Sequence, residues 1–217
     1  MARFGAIAAA GESVVRYLTG VFSSFPDETT HDDSPVIEQV TTKMFGPSAN
    51  PGAVTSTKGG ITLLLYRVDI DATQRNPITW SKSIPSEKRH ALAVDLRYLL
   101  TAWADHPQRQ QLILGRALAA LAGHATFGAP DLVSDLSEKV KGIWRSDESF
   151  QFQPDEMATE DLYQLWESLG RQYELSVPFK ARGIRLEADV FAGEGLVLER
   201  HLVYGAKKND DAEEPVA

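Results

Sequence analysis

Residues 92–121, LAVDLRYLLTAWADHPQRQQLILGRALAAL, fix most of what this chain can fold into. The first part alternates. Leu92, Val94, Leu96, Tyr98 and Leu100 fall on one face, and Ala93, Asp95, Arg97 and Leu99 on the other, which is the period of a strand. The first face reads as core. Asp95 and Arg97, two apart on the second face, can pair with each other or with a neighbour. After a polar turn at Asp105, His106 and Pro107 the period changes. Ile113, Leu114, Ala117, Leu118 and Leu121 recur at helical spacing, and Gly123 is a stop. Pro107 suits a first helical turn, and Asp105 is the expected N-cap. A strand feeding a helix through a short turn is a sheet-building unit.

The other segments join such a sheet. Ile61–Ile70, ITLLLYRVDI, has a continuous apolar centre, as expected of a strand buried on both faces. Val36–Phe45 and Ser149–Gln153 read as strands, Tyr173–Val190 as a long one, and Leu196–Tyr204 as a last one. Pro178 lacks an N–H for a ladder, so the long strand is expected at an edge or bulged there. Helices are expected over Phe4–Phe22, Pro130–Trp144 and Thr159–Leu169, the last capped by Thr159 and ended by Gly170. Within the first, Phe4, Ile7, Ala8, Gly11, Val14, Val15, Leu18 and Phe22 share a face. Gly46–Gly60 and Asp71–Lys88 are long connections, which in compact domains are often functional or disordered. The fold class is therefore α+β: a mixed, largely antiparallel sheet with three or four helices packed on it, an α/β sandwich. Residues 1–205 are expected to form one domain, and 206–217 a disordered acidic tail.

Composition removes several functions. The 217 residues carry a net charge of -8, and no Lys/Arg run exceeds two, so no nucleic-acid partner is expected. There is no cysteine, which excludes disulfides and thiol chemistry. The N-terminal apolar run is interrupted by Glu12 and Arg16, which fits an amphipathic helix better than a signal peptide. No window approaches the roughly 20 apolar residues of a membrane span, so no membrane partner is expected.

A search for catalytic chemistry returns little. Asp69-Ile70-Asp71 opens like a calcium loop, but it lacks the sixth-position Gly and places Trp80 where the bidentate Glu should stand. No two of His31, His90, His106, His124 and His201 stand three or four apart, so no helical metal pair exists. There is no nucleophile elbow and no phosphate loop. Gly115, inside a helix, costs roughly 1 kcal/mol against Ala. Either the loss is tolerated or another element approaches closely there. Trp103 and Trp166 read as core, and Trp80, in a long connection, as an exposed anchor for a partner. No catalytic, metal or cofactor residue is assigned.

Two segments carry a likeness. One is the strand with Tyr98, Leu99 and Leu100, the turn at Asp105 and the helix Leu112–Ala117, LILGRA, with its Leu114-Gly115 step. The other is the helix Leu162–Trp166 followed by Tyr173–Val177, YELSV. Together, over about Phe4 to Val190, the chain resembles the N-terminal domain family of tube-terminator (cap) proteins of extracellular contractile injection systems. These are phage-tail-like particles of the antifeeding-prophage and Photorhabdus virulence-cassette type. The resemblance implies a tail-terminator-like fold and a non-enzymatic structural protein without cofactors. It implies a ring, a hexamer, on the last layer of an inner tube, where it halts polymerisation and anchors the terminal sheath ring. The implied partners are its own copies, the inner tube protein and the sheath protein. The implied location is the cytoplasm during assembly and the particle afterwards. Trp80 and the long strand's Phe179, Lys180, Arg182, Arg185 and Glu187 are the expected interface residues. Two rival readings stay open: a baseplate or effector adaptor of the same apparatus, and a small ligand-binding or enzymatic domain in which Asp95, Arg97 and a loop His converge.

Overall fold

In the computed structural model, residues 2–24, 35–41, 59–71 and 91–187 are described. The elements are α1 (Ala6–Ser24), β1 (Val36–Val40), β2 (Gly60–Ile70), β3 (Ala91–Trp103), α2 (Pro107–Gly123), β4 (Thr126–Phe127), β5 (Phe150–Pro154), α3 (Thr159–Ser168) and β6 (Ser176–Glu187). The strands form one sheet in the order β1-β2-β3-β6-β5-β4. Only β1 and β2 are parallel; the other pairs are antiparallel. This is the mixed α+β sheet the alternating pattern calls for. The expected strand over Leu196–Tyr204, the tail 206–217 and most of both long connections lie outside the described residues.

The inward face of β3 is the apolar one. Val94, Leu96, Tyr98 and Leu100 join Ile61 and Leu63 of β2, Phe152 of β5, and Phe179, Ala181 and Ile184 of β6 in the main core. α1 and α2 close that core. α1 presents Ala6, Ala9, Ala10, Val14, Leu18 and Phe22, and α2 presents Ile113, Leu114, Ala117 and Leu121. Small residues let α1 lie close to its neighbours. A Cβ at Gly11 would stand 2.4 Å from Gln39 Oε1. Phe4 precedes the helix proper and is 62% exposed, so it is not on the buried stripe.

The opposite sheet face is apolar at one end only. Leu64, Leu99 and Trp103 pack there against Trp166 and Leu169 of the α3 segment. Both indoles are satisfied. Trp103 Nε1 donates to Thr62 Oγ1 at 2.9 Å, and Trp166 Nε1 donates to Ser176 Oγ at 3.0 Å. Gly170, at φ 72°, ends α3. Its N–H donates to Glu167 O and that of Arg171 to Trp166 O, the paired bonds of a Schellman stop.

Several expectations are corrected. Pro130–Trp144 is not a helix. Its backbone is held by bonds that a helix would have to break. Val133 N–H donates to Ser13 Oγ at 2.9 Å, Gly142 N–H to Asp135 Oδ1 at 2.9 Å, and Leu136 N–H to Val140 O at 3.0 Å. Leu132 and Ile143 are buried all the same, so the apolar spacing is met by an irregular turn. The N-cap of α2 is His106, not Asp105, and it makes no side-chain cap bond. Pro107 at the first helical position forces the residue before it to be extended, which places the boundary at His106. The N-cap of α3 is Ala158, not Thr159. Pro178 does not mark an edge, because β6 lies between β3 and β5. The proline is tolerated because β5 ends at Pro154 beside it. Only the Pro178 carbonyl is needed there, and it accepts the Asp155 N–H at 2.9 Å.

Candidate partner-binding face

Beyond the Trp103–Trp166 patch, the same sheet face carries charge. Pairing puts like charges opposite each other. Arg67 stands across from Arg97, Asp69 from Asp95, and Arg97 from Lys180. Direct like-charge pairs destabilise a sheet. The side chains avoid this by reaching diagonally. Arg97 Nε donates to Asp69 Oδ2 at 2.6 Å, Arg67 Nε donates to Asp69 Oδ1 at 2.6 Å, and Lys180 Nζ lies 2.9 Å from Asp95 Oδ2. Arg97 also donates to Asp155 Oδ2, just past β5. A bulge in β2 between Leu65 and Arg67 returns Arg67 and Asp69 to this face.

The exposures are lopsided. Arg67 is 63% exposed and Arg182 52%, whereas Asp69 is 24% and Asp95 11% exposed. The carboxylates sit in the sheet together with Arg97 and Lys180, and the Arg67 and Arg182 heads project from it. Burial pushes the Asp69 carboxyl up, but hydrogen bonds from Arg97 and Arg67 outweigh it and hold the group below its ordinary value. The bond to Asp69 is also the largest influence raising Arg97. Burial is the main cause that raises Tyr66, on β2, and the nearby Asp155 adds to it. This is an electrostatically saturated surface. It can register a partner by charge and shape.

The expected interface residues are distributed as follows. Phe179 is in the core, 1% exposed, its ring stacked on Phe152 at 4.9 Å. Lys180 and Arg182 are on the charged face, both turned to Asp95. Arg185 lies further along β6, beside an open depression of about 680 Å3 that Trp144, Arg145 and Phe150 also line. Glu187 accepts two bonds from Arg145 at 3.0 and 3.2 Å. Trp80 lies outside the described residues. Asp95 and Arg97 do not pair with each other; each pairs with a neighbouring element. Arg67, Asp69 and Asp155 complete the face and are not singled out by the sequence as its members. Arg67 and Asp69 repeat the two-residue charge spacing of Asp95 and Arg97, which was the available signal.

The enzyme-like convergence of Asp95, Arg97 and a loop His is absent among the described residues. His106 is 80% exposed at the start of α2. His124 stacks on Tyr17 at 4.5 Å and faces Asp131 at 3.2 Å. No group of three or more His, Asp or Glu able to hold a metal occurs among the described residues. No described helix is long and apolar enough to cross a membrane. Of the strand-end carboxylates Asp69 and Asp71, Asp69 is engaged by Arg67 and Arg97, and the residues that follow Asp71 lie outside the described ones.

Residues 13–200 match the family model described as the Pvc16 N-terminal domain. The chain belongs to the Pvc16 N-terminal domain family. That span takes in the described strands, β1 to β6, and helices α2 and α3. Two solved structures are similar to this family member. One is the sheath/tube terminator of an extracellular contractile injection system, PVC, in its extended state. It is 14% identical, with 90% of this chain and 64% of that chain covered and a TM-score of 0.48. The other is the tube-terminating cap of the anti-feeding prophage. It is 17% identical, with 69% of this chain and 50% of that chain covered and a TM-score of 0.43. This chain thus spans less than two thirds of either. No curated protein matches it.

Proposed function

We propose that this chain is a structural cap, a tube and sheath terminator, of a phage-tail-like contractile injection system. It forms a ring, a hexamer, on the last tube layer, stops polymerisation and anchors the terminal sheath ring. It makes and breaks no covalent bonds and uses no cofactor. Its partners are its own copies, the inner tube protein and the sheath protein. It assembles in the cytoplasm and leaves as part of the particle. Residues 1–205 act as one terminator-like domain, with 206–217 as an acidic tail.

The reading is carried by membership of the Pvc16 N-terminal domain family across residues 13–200. The geometry is compatible with it. A sheet closed on one side by α1 and α2, with projecting guanidinium groups on the other, is a stiff plate with a polar contact surface. On this reading Lys180, Arg182, Arg185 and Glu187, joined by Arg67, meet a neighbouring subunit or the sheath. Trp80 is a further anchor. Phe179 is left out, because its ring is spent on the core.

The test is the position of the subunit in the particle. Electron microscopy of particles carrying a labelled copy should place it at the end away from the baseplate. Deletion of the subunit should abolish control of tube and sheath length. A label at the baseplate end, or unchanged lengths after deletion, overturns the proposal.

A further inference from the structure

We draw no further inference here: the strongest candidate, the apolar groove of about 610 Å3 between the start of α1, the end of β1 and the turn at Leu136 and Val140, carries nothing because nothing in the structure shows what covers it.

Discussion

Arg97 reaches diagonally to Asp69, at 2.6 Å, rather than to the residue directly across the ladder, which is Arg67. That offset, with the Lys180–Asp95 pair beside it, turns three like-charged pairings into two sets of opposite charges. Arg97 is the centre of the first set, since Asp155 depends on the same guanidinium. Replacing Arg97 with Met removes both bonds, so Asp69 keeps only the bond from Arg67 and Asp155 loses the one from Arg97. Loss of charged hydrogen bonds of this kind predicts a cost of about 2 kcal/mol. Denaturant unfolding of Arg97→Met measures it. Arg97→Lys should recover only part, because an ammonium lacks the fork that serves two acceptors.

The acid limb of stability follows from Asp69. Its carboxyl is held below its ordinary value in the fold and is ordinary in the unfolded chain, so the unfolded state takes up the proton first. The contribution is fully present above the unfolded value, roughly pH 4. It is lost as pH falls through the folded value. Asp69→Asn should therefore flatten the fall of stability below pH ~4 and lower stability at neutral pH. Thermal unfolding of both forms across that range decides it. An unchanged acid slope would show that Asp69 is not the group responsible.

Trp166 tests the second patch. Its indole N–H satisfies the buried Ser176 hydroxyl, and its ring meets Trp103 edge-on at 6.2 Å. Trp166→Phe keeps an aromatic ring but strands Ser176. The expected loss is about 1–3 kcal/mol. Adding Ser176→Ala should restore part of it, and a double-mutant cycle by chemical denaturation reads the coupling.

Gly115 separates two explanations. A Cβ there would meet nothing within 4 Å among the described residues, so no described element requires the glycine. Gly115→Ala should raise the stability of the isolated protein by up to about 1 kcal/mol. If it also weakens assembly into particles, the missing side chain serves contact with another molecule. If assembly is unchanged, the glycine is a tolerated loss of propensity.

The charged face has its own test. Arg67→Gln and Arg182→Gln remove two projecting charges, each more than half exposed, and the lost pairs with Asp69 and Asp95 should cost about 1 kcal/mol or less each. On the cap reading, assembly onto tube and sheath ends should fall steeply while the circular dichroism spectrum stays unchanged. Normal assembly of the double variant would remove this face from the proposed interface.

Legibility varied with the range of the cause. The strand-to-helix unit at β3 and α2 is written locally. Alternation at Val94 to Leu100 and helical spacing at Ile113 to Leu121 each assign the correct buried face. Glu160 and Asp161 likewise sit in the first turn of α3, as the dipole favours. What local reading misses depends on partners far along the chain. Leu132, Leu136, Val140 and Ile143 keep helical spacing, yet the backbone there answers to Ser13, about 120 residues earlier. Pro178 signals an edge by the usual rule, but the rule does not see β5 ending beside it. The charge on Asp95 and Arg97 is plain in the sequence. Its neutralisation by Asp69, Lys180 and Asp155 needs the pairing register, including the β2 bulge.

The stitch between the two ends of the described chain carries a last consequence. Ala2 is fully buried, its N–H donating to Arg185 O at 2.8 Å and its carbonyl accepting the Glu187 N–H at 2.7 Å. Ala2, just ahead of α1, thus finds its final place only on β6, the last described strand. At about 5–20 residues per second, Ala2 waits on the order of 10–40 s for that docking site to be synthesised. The bonds between Ala2 and β6 are therefore late contacts in synthesis, and hydrogen exchange on ribosome-bound chains should show the Ala2 amide protected only after residue 187 has emerged.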